Sequence, residues 1–134
     1  IVACIVSLVR EYGGIRFILN LIKSRIRGKR GGEFGIAVLA LFVDLCTANN
    51  TIAIVMAGPI AKEISAEYDI YPKRSASLLD IFTSVGQGMI PYGAQLLSAA
   101  TLTGLTPFDI IPNLFYPVLM GVSAILFIVF KKQN

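Results

Sequence analysis

The sequence contains no histidine. That excludes imidazole-ligated zinc, serine–histidine triads and histidine proton relays, so any proton handled by this chain moves through a carboxylate or water. Cysteine is scarce as well: Cys4 and Cys46 both stand in apolar surroundings, which reads as two buried thiols and not a disulfide or a metal site. Charged residues are only 15% of the chain and are unevenly placed. Residues 35–61 hold one charge, Asp44; residues 75–108 hold one, Asp80; residues 110–130 hold none. There is no phosphate-binding loop with a lysine and no pair of acids in a loop, so the chain reads as a non-enzyme without a cofactor. The apolar run Ile1 to Val9 has no charged leader and is too short to cross a bilayer. It reads as a helix cut within its length, not as a signal peptide.

What the chain has in abundance is apolar side chain. Hydrophobic residues make up 55% of it before its 12 glycines are added, already above the roughly 45–50% that soluble domains reach with glycine included. The long low-charge stretches therefore read as membrane-embedded. Twelve basic and 8 acidic residues give a net charge of +4, and Lys23, Arg25, Arg27, Lys29 and Arg30 sit together. Beside the helical pattern of Ile15, Ile18, Leu19, Ile22 and Ile26 they suit anionic lipid headgroups and not nucleic acid. Residues 1–33 thus read as the end of a truncated transmembrane helix plus an amphipathic, basic connection, stopped by Gly28 and the Gly31-Gly32 pair.

Residues 34–66 read as a re-entrant hairpin or a broken helix. Phe34 to Val43 is apolar, and at about 1.5 Å per residue it covers only half of the ~30 Å hydrocarbon core. Asp44 to Thr51 is then polar and poor in helix formers, and a second apolar stretch, Ile52 to Ile64, is bent by Gly58 and Pro59. The positive-inside rule favours the hairpin, because it leaves the basic residues of 23–30, of 62–74 and of the C-terminus on one cytoplasmic face. Residues 67–106 read as a broken transmembrane helix. Pro72 opens it, Gly86 to Gly93 interrupts it after Val85, and a half-helix follows from Ala94 to Thr103. Residues 107–134 hold the final transmembrane helix, in which 110–130 reaches about 31 Å.

Non-helical backbone at membrane depth is tolerated only where protein or water satisfies it, so two interruptions predict a lined cavity. Asp80, Thr83, Ser84 and Gln87 share one helical face, extended backward by Ser77. The neutral members of this stripe also suit interhelical hydrogen bonding. An intramembrane carboxylate, by contrast, costs about 2.5–3.5 kcal/mol and is neutral, paired or functional. Asp44 carries the same implication, with capping or pairing to a lysine elsewhere as its structural alternatives. Burial favours a protonated acid and a bound cation favours the ionised one, so a carboxylate alternating between proton and sodium is the minimal exchanger. Thr47, Asn49, Asn50, Thr51, Thr83, Ser84 and Gln87 would add neutral oxygens, completing a sodium site with Asp80 and Asp44. Thr83 to Gly88 is partly similar to the filter of potassium channels, but a long helix precedes it and a half-helix follows, where a filter returns as an extended strand.

The runs Asp44 to Thr51, Pro72 to Asp80 and Ile90 to Gln95 resemble the C-terminal part of the NhaC family of sodium/proton antiporters. The resemblance implies an all-α integral membrane protein with discontinuous transmembrane helices and a re-entrant hairpin, the C-terminal half of an inverted-repeat transporter. It implies multi-pass insertion in the inner cell membrane and sodium/proton antiport by alternating access. By the same resemblance, the turn at 47–51 lines the central site and Asp80 with the break at 86–93 forms the facing broken helix. The expected partners are the lipid bilayer, a missing N-terminal repeat of the same protein and a small ion or organic-anion substrate, with a homodimer left open. The alternative function is a sodium-coupled or exchange carrier for organic anions or amino acids, of the malate/lactate type found among relatives. A third reading is a non-transporting membrane subunit whose polar stripes pack against partner helices.

Overall fold

A computed structural model of the chain describes residues 28–130 and positions 11–13, 17, 20, 21 and 24. The expected truncated helix, Cys4 and most of the amphipathic basic segment lie outside the described residues. Among the described residues the chain is helical with no strand. From residue 28 onward the order is α1 (Gly28–Thr47), α2 (Asn50–Glu67), α3 (Pro72–Met89), α4 (Ala94–Thr103), α5 (Pro107–Ile110), a 3-10 turn (Ile111–Asn113) and α6 (Phe115–Phe130).

Three long helices build the core. Gly32 near the start of α1 lies against Tyr68 and Ile70 just beyond α2, so these two helices run antiparallel. Glu33 pairs with Arg74 at one end, and Asp44 lies against Gly86 at the other, so α1 and α3 run parallel. Arg74 also lies over Phe127, while Pro117 meets Gly88, which sets α6 antiparallel to α3. Ala53, Ala57 and Ala61 are fully buried on α2 at four-residue spacing. Such small side chains let backbones approach closely, the usual solution for helices packed in lipid. Ile36, Leu39 and Ala40 of α1, Leu78, Leu79 and Phe82 of α3, and Ala124 and Ile128 of α6 fill the remaining core.

Several boundaries differ from expectation. Gly28 has a left-handed backbone, φ 83°, and opens α1. Gly31 and Gly32 do not stop a helix, however; they lie inside α1, which runs unbroken for 20 residues. A Cβ on Gly32 would come within 2.9 Å of Ile70 and Tyr68, so glycine there serves a close helix contact. The helix α2 likewise continues through Gly58 and Pro59. The helix α3 starts at Pro72 as expected, but it carries Gly86, Gln87 and Gly88 in helical form and breaks only at Ile90–Gly93. The final helix is interrupted: Pro112 sits in the 3-10 turn, and α6 begins only at Phe115. Cys46 is exposed, contrary to the buried thiol expected, because it falls on the face of α1 opposite the core.

No single helix among the described residues is long and apolar enough to cross a membrane. Residues Pro107–Asn113 and Phe115–Phe130, bent by 52°, reach that length and composition together.

Candidate functional site

The polar groups converge where α1 ends, α2 begins and α3 nears its break. On α1, Gly32, Ile36, Ala40 and Asp44 follow one another at four-residue spacing and are all buried. The stripe that seats the core therefore carries Asp44 inward. Its side chain is fully buried, and neither carboxylate oxygen meets a hydrogen-bond donor. It faces the backbone of α3 at Gly86, where a Cβ would stand 2.6 Å from Asp44 Oδ2.

The turn between α1 and α2 is two residues long and strained. Ala48 adopts the left-handed conformation, φ 48°, rare for a residue with a Cβ. Its N–H donates to the Asp44 carbonyl at 2.7 Å, and its carbonyl accepts from Gln87 Nε2 of α3 at 3.2 Å. Asn49 caps α2, its side-chain oxygen accepting from Ile52 N at 3.1 Å. The Thr47 hydroxyl donates back to the Val43 carbonyl at 3.0 Å. From the next break, the Tyr92 hydroxyl donates to the Leu45 carbonyl at 2.7 Å and so satisfies an end group of α1. The two breaks are thereby fastened to each other.

The structure brings together four of the sequence candidates. Asp44 is joined by Asn50, whose Nδ2 donates to the Ser84 hydroxyl at 3.4 Å, and by Gln87. Asn50 Oδ1 and Gln87 Oε1 are, like the Asp44 carboxylate, buried oxygens without a donor. Thr83 is fully buried, and its hydroxyl donates to the Leu79 and Asp80 carbonyls at 2.8 and 3.1 Å, leaving its oxygen lone pairs free to accept. Thr47 and Asn49 shape the turn. Thr51 and Asp80 are exposed, and neither makes a side-chain hydrogen bond to the cluster among the described residues. Asp80 lies six residues before Gly86, about 9 Å along α3. Two residues absent from the sequence candidates belong to this region: Gly86, which makes room for the carboxylate, and Tyr92, which ties the breaks. The glycine-rich break itself was the only signal for either.

Chemically the cluster is rich in acceptors. The parallel helices α1 and α3 direct their C-terminal ends, the negative ends of their dipoles, toward it, two against the one positive end of α2. With an unpartnered carboxylate between them, the field favours a cation, and oxygen-only donors suit a hard one such as sodium. No significant similarity to a curated protein or to a solved structure was found. Residues 1–132, nearly the whole chain, match the family model described as the Na+/H+ antiporter family. Such proteins are membrane-embedded transporters of sodium and protons, not enzymes. The chain belongs to the Na+/H+ antiporter family.

Proposed function

We propose that the chain forms part of an NhaC-type antiporter of the inner cell membrane, working by alternating access, in which Asp44 exchanges one proton for one sodium ion. The observation that carries this reading is a fully buried acid whose two oxygens meet no donor, in a region where the amide oxygens of Asn50 and Gln87 are likewise buried without a donor. Such a group is costly to keep ionised in a dry site without a counter-charge. Protonation removes the charge, and a sodium ion compensates it. In the exchange the carboxylic O–H bond breaks, the proton passes to water, and the freed carboxylate with the oxygens of Asn50 and Gln87 receives the ion. The reverse step on the other side of the membrane restores the acid. Because either occupant leaves the site with the same net charge, the empty ionised state is disfavoured, and that coupling prevents a leak.

Asp80 is the second carboxylate of the proposal. It is exposed on α3, on a face free to meet the N-terminal repeat that would complete the carrier. A second reading, exchange of an organic anion, draws on a cavity of about 330 Å³ beside Ser84, lined by Gln95, Leu96, Tyr116 and Met120 among others. The hydroxyl that holds Asn50 also borders that space.

The test uses the intact protein in sealed proteoliposomes holding a pH-sensitive dye, with sodium and then potassium chloride added outside under a clamped potential. A sodium-specific pH change that Asp44→Asn abolishes is the expected result. Asp80→Asn, measured separately, is expected to abolish it too while expression stays normal. Exchange unaffected by Asp44→Asn would remove that residue from the mechanism. A pH change that requires an added carboxylate solute would select the second reading.

A further inference from the structure

A groove of about 530 Å³ lies between α3 and α6, and none of its lining residues belongs to the Asp44 cluster. Its wall is Ile81, Met120, Ala124 and Phe127; Ser77 and Ser123 are its polar lining, and Lys73 and Arg74 stand at its mouth. The two cations are in different states. Arg74 is committed to Glu33, through Nε and through Nη2 at 2.9 Å, and to the face of Phe127. Lys73 is exposed and makes no ion pair among the described residues.

The position of this mouth identifies what can reach it. Charged side chains gather at one end of the bundle: Lys29 and Arg30 at the start of α1, Lys62, Glu63 and Glu67 near the end of α2, then Asp69, Lys73 and Arg74. In the sequence, Lys131 and Lys132 come directly after the residues of α6, whereas residues 110–130 hold no charge. Charges collect in this way at the level of lipid headgroups, with apolar surface below. The groove thus runs from a cationic mouth at headgroup level down an apolar wall. From Phe127 to Met120 that wall extends about 10 Å along α6.

We propose that this groove binds one anionic phospholipid, its phosphate at the Lys73 ammonium and an acyl chain along Ile81, Met120, Ala124 and Phe127. The charge at the mouth selects the headgroup. A basic side chain at a membrane surface adds about 1 kcal/mol toward an anionic lipid, a factor of about five. A zwitterionic lipid fills the same wall without that gain. A second segment of the protein covering the groove would leave no room for the chain, and the experiment separates the two.

The intact protein, purified in a nonionic detergent, is mixed with equal amounts of phosphatidylglycerol and phosphatidylcholine, and the lipids retained are counted by native mass spectrometry. Retention of phosphatidylglycerol over phosphatidylcholine is expected, with the preference falling about fivefold in Lys73→Gln. Ser123→Phe, which fills the groove from an exposed position, is expected to lower retention of both lipids. The proposal is overturned if the wild-type protein retains neither lipid, if Lys73→Gln keeps the full preference, or if Ser123→Phe retains lipid as before.

Discussion

Replacing Arg74 by Met is expected to cost about 3–5 kcal/mol of stability, the usual consequence of removing one partner from a buried ion pair. Glu33, at 1% side-chain exposure, sits inside the first turns of α1 and receives the guanidinium through two nitrogens. The same guanidinium lies 4.9 Å from the centre of the Phe127 ring. One side chain of α3 therefore ties α1 and α6 together at the charged end of the bundle. A Met at this position keeps the packing volume and withdraws the charge, so Glu33 stays buried without its guanidinium partner. The double variant Glu33→Leu with Arg74→Met is expected to recover much of the loss, because two apolar side chains need no compensation. Arg74→Lys is expected to fall between, since an ammonium has neither the planar fork nor the stacking face. The measurement is the temperature at which the detergent-solubilised intact protein ceases to elute as a single species. An unchanged midpoint for Arg74→Met would show that the pair contributes nothing.

The helical architecture and the existence of both breaks were legible in the sequence because glycine, proline and capping residues act locally. Asn49 announces the start of α2, Pro72 that of α3 and Gly93 that of α4. Glycine read as a breaker failed where its purpose is tertiary. Gly31 and Gly32 stand within α1, and Gly86 and Gly88 within α3, because neighbouring side chains press against Gly32, Gly86 and Gly88. Sequence spacing also brought Asp80 into one stripe with Ser84 and Gln87, yet it could not say which part of that stripe other helices cover. Gln87 is buried against α1 and Asp80 is exposed. Asp44 was harder to weigh from sequence, since an acid near a helix end is often a cap. Its burial follows from its place in the Gly32, Ile36, Ala40 stripe, which becomes meaningful once α1 is known to run unbroken. The Tyr92 contact to Leu45 spans 47 positions, and no local pattern encodes it.

Gly86→Ala is expected to weaken sodium binding about tenfold, equivalent to about 1.4 kcal/mol, in a protein that folds and inserts normally. The added Cβ would stand 2.6 Å from Asp44 Oδ2 and 3.4 Å from Leu41 Cδ2. The first distance is too short to persist, and the carboxylate is the group able to turn. In turning it leaves the position against Gly86 that the proposed site requires. The helix itself gains from the exchange, because Ala is favoured over Gly in a helix interior by about 1 kcal/mol. Binding and stability therefore move in opposite directions, which a general disruption would not do. Gly58→Ala is the control: it makes the same chemical change inside α2, where a Cβ meets nothing within 4 Å. The half-saturating sodium concentration in the proteoliposome assay, read beside the thermal midpoint, distinguishes the outcomes. A higher sodium requirement with an equal or higher midpoint, seen for Gly86→Ala and absent for Gly58→Ala, assigns the ion to the Asp44 carboxylate. Equal sodium requirement in both variants would move the ion elsewhere, with Asp80 as the next carboxylate to replace.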